Sequence, residues 1–239
     1  MRKHLALILA LCLLLALTAC EKAPAETEPK QKSYADVTAC FVGDSITYGH
    51  TLETNDLRYW QRVAEALKFK EVTGLGINGS AYSTTSKNGM DHGPLTQRYT
   101  TIPQTDLIFI KLGTNDFFEC TPLGTIEDKE DVSFYGAINF VLDRLEEQCP
   151  DSTVVLITPI RAHTIQTNKI SVNFKDYVDA VKAVGEQRQL PVMDMHNITF
   201  DQMTEGFFND AAHPNKFGNQ VMGDALQKWL EENIHIILK

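Results

Sequence analysis

The chain is short of positive charge: 22 Lys and Arg against 31 Asp and Glu give a formal net charge of −9, with no basic run. A polyanion such as nucleic acid is therefore not an expected partner. No apolar stretch is long enough for a comfortable membrane span. No internal repeat appears, and the cysteines do not have the spacing of a zinc site. A GxGxxG run after the first predicted strand is also missing, which disfavours a nucleotide-binding module. What remains is ordinary globular composition, with 43% hydrophobic and 22% charged residues in 239, enough for one domain with a sizeable core.

The N-terminus reads as an export signal. Arg2 and Lys3 precede an uninterrupted apolar run, Leu5 to Leu17, and the run ends in Leu17-Thr18-Ala19-Cys20. Small residues before a cysteine at that place resemble the lipobox of bacterial lipoproteins. The expected organisation is a signal peptide over 1–19, a lipidated Cys20 with a flexible tether over 20–34, and one folded domain over 35–239. Glu21 to Ser33 is rich in Glu, Lys, Pro and Ala without apolar periodicity, as a tether should be. About a dozen such residues reach on the order of 20 Å, so the domain would ride close to the extracytoplasmic face of the membrane. In that setting Cys120 and Cys149 are equally open to pairing or to remaining free thiols, and Cys40 reads as a small buried hydrophobe.

Short apolar runs alternate with helical periodicity along the domain. Strands are expected at about Val37–Val42, Glu71–Leu75, Leu107–Ile110, Thr153–Ile157 and Val192–Met193. Helices are expected around 56–67, 134–147 and 172–188, with a last one starting near Pro214. This pattern predicts an α/β fold: a doubly wound five-stranded parallel sheet in a flavodoxin-like three-layer α/β/α sandwich. Long loops after strands two and three leave its carboxyl edge, where ligands bind in such sheets.

Polar residues gather at that edge. Ser45 follows strand one in Gly43-Asp44-Ser45, where it reads equally as a nucleophile or as a helix cap. Gly79 follows strand two and can present its N–H, and the Asn115 amide after strand three can donate to an oxyanion. In Asp210-Ala211-Ala212-His213-Pro214 the carboxylate can fold back onto one imidazole nitrogen and leave the other to face Ser45.

Taken in order, Gly43-Asp44-Ser45, Asn78-Gly79, Gly113-Thr114-Asn115-Asp116 and Asp210-Ala211-Ala212-His213-Pro214-Asn215 resemble the four blocks of the SGNH hydrolases, the GDSL-type lipases and esterases. The resemblance implies Ser45 as nucleophile, His213 as general base and acid, and Asp210 as its orienting carboxylate. It implies an oxyanion hole from the N–H groups of Ser45 and Gly79 and the Asn115 side chain, with no metal and no cofactor. Asp44 and Asp116 are expected to bond loop backbone, and His50, His92 and His235 to stand outside the chemistry. His163 is a minor candidate for the cleft wall. The implied activity is hydrolysis of carboxylic esters. The absence of a long apolar lid segment favours small acyl groups, acetyl on carbohydrate foremost. O-acyl transfer, or lysophospholipase or thioesterase action with the same triad, are the enzymatic alternatives. A non-catalytic glycan-binding lipoprotein is the other. A monomer is expected.

Overall fold

The computed structural model describes residues 33–86, 93–160, 165–197 and 206–238. Cys20, the signal and tether segments, His92 and His163 lie outside the described residues. Five strands, β1 (Thr38–Gly43), β2 (Glu71–Gly76), β3 (Leu107–Lys111), β4 (Thr153–Ile157) and β5 (Val192–Met193), form one sheet. Its order is β2-β1-β3-β4-β5 and every pairing is parallel. β1 therefore sits between β2 and β3, and its carboxyl end opens where the strand order reverses, the ligand-binding position of doubly wound sheets.

Side chains alternate across the sheet with period two. Cys40, Val42, Ile108, Ile110, Val154 and Leu156 face α5 (Phe134–Gln148) and α6 (Phe174–Arg188). Ala39, Phe41, Leu107, Phe109, Val155 and Ile157 face α2 (Tyr59–Leu67), α7 (Lys216–Glu232) and the short α8 (Ile234–Ile237). Each face is covered, which is why these strands read as continuous apolar runs. Phe41 and Phe109 stack at 4.4 Å between centroids through the middle of the second face.

Two helix starts are shifted from the sequence expectation. The first long helix starts at Tyr59, because residues up to Asp56 are taken by a turn in which the Asp56 N–H donates to the Glu53 carbonyl. The last helix starts at Lys216: Asn215 caps it by accepting from the Gly218 N–H at 3.0 Å, and Pro214 stays outside. Two single helical turns, α3 (Leu95–Arg98) and α4 (Thr114–Phe118), fall where no helix was expected. Cys40, Cys120 and Cys149 are free thiols, and burial pushes the Cys40 thiol up to about 12. Among the described residues no helix is long and apolar enough to cross a membrane.

Candidate active site

The site begins with a glycine at the end of β1. A side chain on Gly43 would lie 2.0 Å from the Thr47 hydroxyl and 2.9 Å from the Lys111 carbonyl, so only glycine lets the chain turn straight from strand into α1 (Ser45–Tyr48). Asp44 caps that turn by accepting from the Ile46 N–H at 2.9 Å. Ser45 is then the first helical residue, so its N–H has no intrahelical acceptor. Its hydroxyl sits 2.9 Å from His213 Nε2.

The loop before α7 supplies the imidazole. His213 Nδ1 lies 2.8 and 3.0 Å from the two carboxylate oxygens of Asp210. Asp210 also accepts the N–H groups of Ala212 at 2.9 Å and His213 at 2.8 Å. Partial burial works against its charge, but these N–H groups and the imidazole outweigh burial and hold its carboxyl below the ordinary carboxylate range. Serine, imidazole and carboxylate thus form one hydrogen-bonded chain assembled from opposite ends of the sequence.

The turn after β2 completes the constellation. Gly79 adopts φ 71°, in the left-handed region. The carbonyl of the next residue, Ser80, accepts from Asn115 Nδ2 at 2.8 Å, which ties the turn to α4. One N–H of the Asn115 amide is used there, and the amide group carries a second. The Ser80 hydroxyl accepts from the buried Arg98 guanidinium at 2.6 Å. Asp116 bonds loop backbone as expected: its carboxylate accepts from the N–H groups of Tyr82 and Ser83 at 3.0 and 3.1 Å.

Sequence reasoning missed three residues here. His50, set aside as a connection residue, places its ring 4.6 Å from that of His213. Arg98 and Lys111 are buried, and charged residues of their kind are usually read as solvated. Lys111 Nζ lies 3.6 Å from Asp44 Oδ1, directly under the β1 turn, and burial pushes its ammonium below the ordinary range while Asp44 opposes that shift. No run of sequence signals these pairings, because each joins separate segments of the chain. Among the described residues no group of three or more His, Cys, Asp or Glu could hold a metal ion.

A doubly wound α/β sheet with a Ser–His–Asp chain at the carboxyl edge of its central strands defines a hydrolase-type site. The profile of the GDSL-like lipase/acylhydrolase family matches residues 41–221, and the chain belongs to that family. Among curated proteins none matches the sequence significantly. Solved structures similar to this chain include a protein from Lactobacillus plantarum, with 25% identity and TM-score 0.71 over 84% of this chain and 98% of that one. A possible lipase from Chitinophaga pinensis matches with 18% identity and TM-score 0.65 over 82% and 98% of the two chains. A mutant of an acetyl-xylooligosaccharide esterase from Geobacillus matches with 18% identity and TM-score 0.60 over 83% and 95%.

Proposed function

We propose that the protein is a membrane-tethered, extracytoplasmic serine esterase that removes small acyl groups, acetyl foremost, from carbohydrate through an acyl-enzyme. The observation that carries the reading is the chain Ser45 Oγ to His213 Nε2, and His213 Nδ1 to Asp210. A serine hydroxyl is a weak nucleophile until a neighbouring base takes its proton, and His213 Nε2 is within hydrogen-bond reach to do so.

In the first step Ser45 Oγ bonds to the ester carbonyl carbon as its proton passes to His213 Nε2. The carbonyl electron pair moves onto oxygen, and the N–H groups of Ser45 and Gly79 with the Asn115 amide serve that oxyanion. Such a donor contributes about 3–4 kcal/mol at the transition state. Collapse breaks the bond to the alcohol oxygen, which leaves with the proton from His213. Water then repeats the sequence on the acyl-serine, with His213 as base, releasing the acid and restoring Ser45. Asp210 stays ionised throughout, fixes the imidazole tautomer and balances the imidazolium. Family membership supports ester hydrolysis. The sugar and acetyl assignments rest on the missing lid segment and on fold similarity to a structure described as an acetyl-xylooligosaccharide esterase.

The test combines labelling with kinetics. A fluorophosphonate is expected to label Ser45 alone, seen by peptide mapping, and Ser45→Ala is expected to lose both labelling and turnover of 4-nitrophenyl acetate. Asn115→Ala is expected to lower kcat by about 10²–10³ with a smaller change in KM. Full hydrolysis by a folded Ser45→Ala protein, or labelling at another residue, would overturn the reading.

A further inference from the structure

The reaction geometry says on which side of Ser45 the alcohol half of the ester must lie. The leaving oxygen takes its proton from His213 Nε2, so the group attached to it sits beside the imidazole, while the acyl group lies away from it. The surface on the imidazole side is already partly described. His50 packs its ring against that of His213. The next residue, Thr51, is tied to the catalytic loop, since Asn209 Nδ2 donates to the Thr51 hydroxyl at 2.9 Å and to its carbonyl at 3.3 Å. Asn209 in turn precedes Asp210, and its N–H donates to the His213 carbonyl at 2.9 Å.

An open cleft of about 640 Å³ begins at this junction and runs between the loop after α1 and the first turns of α7. Its lining includes Glu53, Asp56, Asn209, Lys216, Phe217 and Gln220. Asp56 and Lys216 form an ion pair at 2.7 Å across it. Phe217, on the first turn of α7, is 47% exposed, although an aromatic ring of its size is normally buried. Glu53 and Gln220 are exposed beside it. Carboxylate, amide and ammonium groups around one exposed flat ring are a poor match for an acyl chain, which needs an apolar trough. They match a pyranose or furanose, whose hydroxyls want acceptors and donors and whose C–H face packs on an aromatic ring.

We infer that this cleft is the alcohol-side subsite of the esterase and takes the sugar units of an acylated oligosaccharide, with Phe217 as the stacking platform and Glu53 and Gln220 as hydroxyl partners. The inference rests on the esterase reading above and names the substrate class for that site. A cleft of this volume holds more than one sugar ring, so an oligosaccharide ester gains contacts that an acetylated monosaccharide or a nitrophenyl ester cannot make.

The experiment measures kcat/KM of the full chain on 4-nitrophenyl acetate, acetylated monosaccharides, and partially acetylated xylo-, manno- and chito-oligosaccharides. The wild type is expected to favour at least one oligosaccharide ester over its acetylated monosaccharide. Phe217→Ala and Glu53→Gln are each expected to reduce that preference roughly fivefold to tenfold, the size of one lost contact, while the Tm and the rate of fluorophosphonate labelling at Ser45 stay unchanged and certify folding. Gln220→Ala, at an exposed helix position, provides the same reading if Phe217→Ala does not fold. A preference that survives all the variants, or no preference for any oligosaccharide over its monosaccharide, would overturn the subsite. Failure of the wild type on every ester would instead overturn the esterase reading itself.

Discussion

Lys111→Met isolates the buried ion pair beneath the β1 turn. Lys111 and Asp44 are both 0% exposed, with Nζ and Oδ1 3.6 Å apart. At an effective dielectric of about 20, two unit charges at that separation attract by about 4–5 kcal/mol. Methionine fills a similar volume without charge, so packing changes little and the loss is electrostatic. The mutation leaves Asp44 buried without its nearest cation, and breaking such a pair from one side typically costs about 3–5 kcal/mol. Arg98 also interacts with Asp44 and retains part of the compensation, which places the expected cost near 3 kcal/mol. For a domain of this size that is a drop in Tm of roughly 6–12 °C. The reverse mutation, Asp44→Asn, is expected to cost less. Lys111 is already pushed toward its neutral form by burial and can shed its proton, and asparagine still caps the Ile46 N–H. Asp44→Asn with Lys111→Met removes both charges and is expected to lie within about 1 kcal/mol of the wild type. Urea titrations and thermal melts of all four proteins at pH 7 form the cycle. A Lys111→Met protein as stable as the wild type, or a double mutant whose losses simply add, would refute the electrostatic argument.

Asp116 supplies a pH-dependent prediction. Burial raises its carboxyl from 3.8 to about 6, with the N–H groups of Tyr82 and Ser83 opposing. Folded Asp116 therefore keeps its proton to higher pH than the unfolded chain, and the stability this gives below pH 4 is lost as pH rises through about 6. The shift is worth about 3 kcal/mol, so Asp116→Asn is expected to gain that much on the wild type between pH 4 and pH 7. Parallel urea midpoints for the two proteins across that range would contradict it. At the N-terminus, Cys20→Ser is expected to abolish labelling by a fatty-acid analogue and to release the protein from membranes. A wild type that is unlabelled and freely secreted would remove the anchor from the proposal.

The sheet was readable because its central strands are covered on both faces. Phe41, Val42, Ile108, Phe109, Val155 and Leu156 all had to be apolar, and a continuous apolar run survives without any knowledge of neighbours. Asp210 and His213 were readable for a different reason. Their contact is local, three positions apart, so it is encoded in one short stretch. What was hidden depends on contacts between remote segments. Tyr59 is fully buried beside Val63 on the face that meets the sheet, and the groups that hold its polar atoms, Thr47 and Asn219, come from other segments. Nothing in the sequence around Lys111 marks its partner, because only the pairing of β1 with β3 places Asp44 beside it. His50 was invisible for the same reason: its ring meets that of His213, and the neighbouring Thr51 meets Asn209, 158 positions further along the sequence.

Those remote contacts also explain how a 2.9 Å separation between Ser45 and His213 is held, although one opens a helical turn after β1 and the other lies in the loop before α7. A buried polar strut joins them. Thr47, in the helical turn begun by Ser45, meets the Tyr59 hydroxyl at 3.0 Å. The backbone N–H of Tyr59 donates to Asn219 Oδ1 at 3.0 Å. The Asn219 amide then donates to the carbonyls of Pro214 and Asn215, each at 3.1 Å, immediately after His213. Each of these side chains is at most 2% exposed except at the catalytic loop itself, so water does not compete for the bonds. A misplacement of about 1 Å between nucleophile and base can cost on the order of 10²-fold in rate. The apolar packing of α2 and α7 against the sheet sets the spacing only coarsely, since a hydrophobic contact tolerates small slides. Directional bonds at both ends of Tyr59 and Asn219 do not, and they convert the packing of two helices into a fixed distance between a hydroxyl and an imidazole.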